Sequence, residues 1–386
     1  MTVQFDAITE ESLRARGSKK WSTYPGAIPA FVAEMDFGTA PAVTSAVETA
    51  VAESLFGYMP DAVDGALSEA TSRYLQDSYA WKVEPANIRP LPDVLKGLEV
   101  AIEYFSEPGS AVVLPTPAYM PFLWLPRTLD REIIQVPMLS DGENWALDLD
   151  GIDEALSGRG GLLVFCNPHN PIGKVYRRDE MRAVADIVDR HNARVFSDEI
   201  HAPLIYPGSS HIPYASVSAA AAAHTITATS ASKAWNLPGL KCAQLILTND
   251  DDAKVWADVG FMAEHGASNL GVVANTAAYA AGHQWLSDVL AYLDSNRKLL
   301  SDLIAEHLPG VSCTQPDGTY LAWLDCRALE IGESPQQFFL NEAGVACTDG
   351  ADCGDAGTGF VRFNFAMPKP VLTKAIKKMG QAVSNR

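Results

Sequence analysis

Residues 227–242 read TATSASKAWNLPGLKC. The segment Thr225–Thr229 is uncharged and rich in β-branched residues, as suits a buried strand. It gives way to the small hydroxyl residues Ser230 and Ser232, and Lys233 then stands among Ala234, Trp235 and Leu237. A surface lysine keeps polar neighbours; this one does not. A lysine just beyond a strand lies where open α/β sheets bind ligands, at the carboxyl edge.

The surrounding chain supports such a sheet. Ala111–Pro115, Glu132–Met138, Gly161–Cys166, Arg194–Ser197 and Cys242–Leu247 are short apolar runs separated by helix-length segments. That pattern predicts a largely parallel α/β sheet buried on both faces. Between two of these runs, MRAVADIVDRHN (181–192) has the amphipathic period of a crossover helix. Ala219–Ala223 reads as a short helix before the strand. The ends differ. Residues 1–48 carry few strong periods, and from about residue 286 helices alternate with the strand-like Thr319–Leu324 and Gly359–Phe365. The expected organisation is a large α/β domain over 49–285 and a smaller α+β domain built from 1–48 and 286–386.

Bulk composition narrows the function classes. The 386 residues hold 47 acidic and 29 basic side chains, a net charge of −18. Such a surface repels nucleic acid and anionic lipid, so neither is expected as a partner. No apolar run has the length needed to cross a bilayer. The six cysteines form no CxxC pair and read as reduced thiols. The opening MTVQFDAITEESLRARGSKKW lacks the apolar core of a signal peptide, and a cytoplasmic location is expected.

For Lys233, two readings stand level on its own stretch. It is a structural loop lysine, or a Schiff-base lysine kept partly neutral by desolvation and nearby positive charge. Ser230, Ser232 and Lys241 around it suit a phosphate, and the combination is what pyridoxal phosphate needs. Three upstream stretches tilt the balance. Asp198 ends the apolar VFSD run, where a bare carboxylate is costly without a cationic partner such as a protonated pyridine nitrogen. Asn170 lies in the turn FCNPHNPIGK, able to donate to a ring oxygen. Tyr119 follows the strand-like run in LPTPAY, able to stack on a planar ring. Other features read blandly. His169, His201 and His211 lack metal-ligand spacing, so no metal is expected. GDAGTG (354–359) precedes a strand and reads as a connecting loop, Asp250–Asp252 as an acidic first helical turn, and Cys242 as buried filler.

Together with VAEMDFGTAP (32–41) and FGYMP (56–60), the stretches NPHNPIGKVY (167–176), SDEIH (197–201) and TSASKAWNLPGLK (229–241) resemble the fold type I pyridoxal-phosphate enzymes, the aspartate aminotransferase superfamily. Within it they are most similar to the MalY/PatB family of C–S β-lyases, which includes bacterial cystathionine β-lyases. The resemblance implies an α/β fold and a homodimer with shared active sites. It implies that Lys233 bonds the cofactor and moves the substrate Cα proton, that Asp198 pairs with the pyridine nitrogen, and that Asn170 and His201 lie near the ring oxygen. Tyr119 would stack on the ring. Ser230, Ser232, Lys241 and the backbone N–H groups of Val94 and Leu95 would hold the phosphate, with Tyr58 reaching it from the neighbouring subunit. Arg362 and Asn170 would bind the substrate carboxylate. The implied reaction is β-elimination from a cysteine S-conjugate, giving a thiol, pyruvate and ammonia. A transaminating enzyme is the alternative, and regulation of a transcription factor by contact is a non-catalytic one. One segment departs from the family pattern. A small uncharged loop is usual at the phosphate helix, whereas this chain has Leu91-Pro-Asp93-Val-Leu-Lys-Gly97. Asp93 there is unfavourable unless its side chain turns away as the helix N-cap.

Overall fold

The computed structural model describes residues 5–332 and 334–386. Seven strands form the main sheet: β1 (Ile88–Leu91), β2 (Ala111–Thr116), β3 (Ile133–Pro137), β4 (Gly160–Cys166), β5 (Arg194–Asp198), β6 (Thr225–Thr229) and β7 (Ala243–Leu247). Their order is β1-β7-β6-β5-β4-β2-β3. β7 runs antiparallel to both β1 and β6, and the remaining pairs are parallel. Continuous apolar strands are explained by burial on both sides. Along β4, Leu162 and Val164 pack into one apolar cluster, and Leu163 and Phe165 into another on the opposite face. The strand β1 is the sheet member that sequence pattern misses, because IRPL is short and contains a proline that reads as a breaker.

Helices cover both faces. Before the sheet come α1 (Pro41–Ala52) and α2 (Asp61–Tyr79); α3 (Val94–Tyr104) follows β1. Next are α4 (Leu149–Gly158), α5 (Arg178–Arg190), α6 (Asp250–Val259) and α7 (Asn269–Ala281). The predicted crossover helix is α5, which buries Met181, Val184, Ala185, Ile187 and Val188. It starts where the Glu180 carboxylate accepts from the Arg177 N–H at 2.8 Å, half of a capping box. In α3, Gly97 allows close approach to the sheet: a Cβ there would meet Ala228 Cβ and a Phe196 ring carbon at 3.2 Å. The N-terminus of α3 thereby sits close over the carboxyl ends of β5 and β6. Asp250–Asp252 do form the first turn of α6, capped by Asn249.

Beyond α7, the 25-residue α8 (His283–His307) leads to a second sheet of β8 (Ser312–Cys313), β9 (Leu321–Asp325), β10 (Thr348–Asp349) and β11 (Phe360–Asn364), ordered β8-β9-β11-β10 and wholly antiparallel. α9 (Lys369–Ser384) closes the chain. The N-terminal segment joins this part: Ile28–Pro29 pair in parallel with Val345–Ala346. The two divisions expected from the sequence, 48/49 and 285/286, fall inside α1 and α8. No helix among the described residues is long and apolar enough to cross a membrane.

Candidate active site

Strand register assembles the site. Cys166, Asp198 and Ala228 are partners across β4, β5 and β6, so the three strands end side by side. Asn170 follows the first, Asp198 ends the second, and Lys233 follows the third. They line one cleft of about 190 Å³ together with Tyr119, His201, Ser232, Lys241, Asp93, Val94, Leu95 and Ala33.

The charged groups there are poorly matched by the protein itself. Asp198 is buried; its Oδ1 accepts from the Ile200 N–H at 3.1 Å, and Oδ2 has only the Cys166 thiol at 3.8 Å. Burial raises its pKa to about 6. The Lys233 amine donates to the Ala33 carbonyl at 3.1 Å, and burial, with the nearby Arg362, lowers its pKa to about 8. Arg362 is 2% exposed. It donates to Asn170 Oδ1 (3.2 Å), the Phe31 carbonyl (2.8 Å) and Thr348 Oγ1 (3.3 Å), and its Nε has no partner. Among the described residues, no carboxylate lies within 4.0 Å of this guanidinium. A buried cation held by neutral acceptors alone is suited to an incoming anion. His201 is also buried, with Nδ1 unpartnered and its ring 6.0 Å from Tyr320; burial holds its pKa well below the usual imidazole range.

The N-terminal segment 31–39 straps over these groups through its backbone. Besides the Phe31 and Ala33 carbonyls, Val32 and Glu34 accept from Asn364 Nδ2 at 2.7 Å, and Met35 exchanges two bonds with the Asn236 amide. A buried Lys20–Asp36 ion pair (3.0 Å) anchors it from behind. In the sequence this stretch is marked only by a family motif, VAEMDFGTAP. Backbone acceptors leave no side-chain signature, although the two asparagines that hold the strap are a signal that local pattern could not interpret.

Other expected residues fall as follows. Ser232 lines the cleft, while Ser230 stands one layer behind, donating to the Cys242 carbonyl (2.7 Å) and accepting from the Ser232 N–H (2.9 Å). Lys241 pairs with Asp93 at 2.9 Å. Asp93 does cap α3, accepting from Lys96 N–H at 3.0 Å. Tyr58 is 93% exposed and lies away from this cleft, beside Asp61, Phe261 and Glu264. His169 is a turn residue: its Nε2 meets the Pro117 carbonyl (2.8 Å) and its Nδ1 the Tyr176 hydroxyl (2.9 Å), tying the Tyr119 loop to the Asn170 turn.

These groups fit pyridoxal phosphate. A buried carboxylate without a cation, a lysine amine of depressed basicity, and free N–H groups at the start of α3 match its ring nitrogen, aldehyde and phosphate.

Comparison with known proteins agrees. Residues 32–379 match the aminotransferase class I and II family. The chain belongs to that family. Cystathionine β-lyase of Corynebacterium glutamicum is 38% identical over 97% of this chain and 98% of its own length. Cystathionine β-lyase PatB of Bacillus subtilis is 31% identical, covering 93% of each chain. The solved structure of a candidate pyridoxal-phosphate-dependent β-cystathionase from Corynebacterium diphtheriae superposes with a TM-score of 0.93 at 42% identity, over 98% of both chains. Within the family, the chain is a member of the MalY/PatB group of pyridoxal-phosphate-dependent C–S β-lyases.

Proposed function

We propose that this protein is a pyridoxal-phosphate-dependent carbon–sulfur lyase that cleaves cysteine S-conjugates such as cystathionine to a thiol, pyruvate and ammonia. The observation that carries the reading is a lysine amine of lowered pKa, opening into the same cleft as Asp198 and close to a guanidinium with no counter-charge. When bound, the cofactor supplies an electrophilic aldehyde for amines and an electron sink for the carbanion at Cα.

The chain's residues divide the remaining work. Lys233 anchors the cofactor; with its pKa lowered to about 8, part of the amine is neutral near pH 7 to 8, and that neutral form takes the Cα proton. Arg362 grips the substrate α-carboxylate, aided by Asn170, and fixes the Cα–H bond toward Lys233. Asp198 keeps the ring nitrogen cationic, and Tyr119 covers one ring face. Asn170 and His201 serve the ring oxygen. Ser230, Ser232, Lys241 and the N–H groups of Val94 and Leu95 serve the phosphate, Ser230 by orienting Ser232. Loss of the β-thiolate needs no metal because it is a stable anion, and water then converts the released enamine to pyruvate and ammonia.

Incubated with cystathionine and no keto acid, the protein should release homocysteine, pyruvate and ammonia in equal amounts. Formation of the thioether-retaining 2-oxo acid of cystathionine, dependent on an added keto acid and without release of thiol, would instead support a transaminase. The working unit is a homodimer in which the exposed Tyr58 reaches the partner's phosphate site. Mixing Tyr58→Phe and Lys233→Ala protomers should regenerate activity, since one of the two sites in each hybrid is intact. Confirmed hybrids without recovery, given a severe Tyr58→Phe defect, would refute the sharing. The protein is expected to act in the cytoplasm.

A further inference from the structure

Asp93 occupies the corner of the cleft where the phosphate reading places an anion, and it is itself an anion. Its two oxygens are committed to different partners. Oδ1 accepts from the Lys96 N–H at 3.0 Å as the N-cap of α3, and Oδ2 meets Lys241 Nζ at 2.9 Å. The cap leaves the N–H groups of Val94 and Leu95 without helical acceptors, and both residues line the cleft beside Asp93, Ser232 and Lys241. A carboxylate at this position competes with a phosphate for the positive end of the helix. Lys241 is placed deliberately. Its backbone is left-handed (φ 52°), and its carbonyl accepts from the Ser268 N–H at 3.0 Å, which fixes where the side chain starts. One ammonium N–H goes to Asp93, and two remain for another acceptor.

We propose that Asp93 and Lys241 form a charge-compensated phosphate holder, in which Lys241 contacts the cofactor phosphate and simultaneously cancels Asp93. This rests on the pyridoxal-phosphate reading above. It assigns Asp93 as a positioning residue, and makes the two residues interdependent. Without the lysine, the carboxylate faces the phosphate unshielded, so more is lost than one contact. Without the aspartate charge, the lysine is dispensable to a greater degree.

A double-mutant cycle on the full-length apoprotein tests this. Pyridoxal phosphate affinity is read by absorbance titration, and the inorganic phosphate-induced rise in Tm is followed in parallel. Lys241→Ala should weaken cofactor binding by about 100-fold, the upper end for one charged contact. Asp93→Asn keeps the cap oxygen and should change affinity by about threefold or less in the native background. In the double variant affinity should recover by about tenfold or more over Lys241→Ala, with the phosphate-induced Tm rise returning. Recovery below that level, or an Asp93→Asn loss as large as that of Lys241→Ala, overturns the proposal. Failure of the unaltered protein to bind pyridoxal phosphate would overturn the cofactor reading itself, and the proposal with it.

Discussion

Lys233 and Lys241 lie on one connecting segment and line one cleft, yet their surroundings make them opposites. The Lys233 amine meets only a backbone carbonyl, and burial together with Arg362 lowers its pKa to about 8. Lys241 is 58% exposed at its side chain and sits in an ion pair with Asp93. The first is brought within reach of its neutral form near pH 8, in which it acts as nucleophile and base. The second, exposed and paired with Asp93, is suited to hold a phosphate. What separates the two roles is desolvation and the nearest charge, since the residue type is the same.

The largest break in this comparison comes from Lys233→Ala. Loss of both the covalent anchor and the base should lower β-elimination turnover by about 10⁴-fold or more, while the phosphate end still binds the cofactor. Steady-state kinetics beside a cofactor titration will read the two effects separately. Retained turnover within about tenfold would remove Lys233 from the proton transfer.

A smaller effect is expected from moving the pKa of Lys233 without removing the residue. Cofactor attachment needs the neutral amine, so its rate should rise with pH through about 8 and level off above. The Arg362 cation lowers this pKa, whereas the Asp198 and Glu34 carboxylates raise it. Arg362→Leu should therefore move the midpoint up, and Asp198→Asn should move it down. Stopped-flow absorbance at several pH values measures all three. Midpoints that stay together would mean that these charges do not act on the amine.

How much of this is legible in the sequence follows from where each signal lies. Asp198, Asn170 and Lys233 can be found because each lies at or just beyond the end of a buried strand, and parallel strands in register bring their ends together. Tyr119 is marked in the same way, by its place after the apolar run of LPTPAY, whereas Arg362 needs the family resemblance, since nothing local marks one arginine. The strap over residues 31–39 is not legible. Its contacts are backbone carbonyls meeting side chains some two to three hundred residues away, such as Phe31 with Arg362 and Met35 with Asn236. Asp93 is half legible. Its capping role is a local rule, but the Lys241 partner depends on how α3 is placed against the loop after β6.

The most direct test of the account is to load the apoprotein with pyridoxal phosphate, reduce it with borohydride and map the adduct by mass spectrometry. The two lysines of the cleft are the natural competitors. A single reduced cofactor adduct is expected on Lys233, with none on Lys241 and loss of the adduct in Lys233→Ala. An adduct on Lys241 or on any other lysine of the unaltered protein would contradict it.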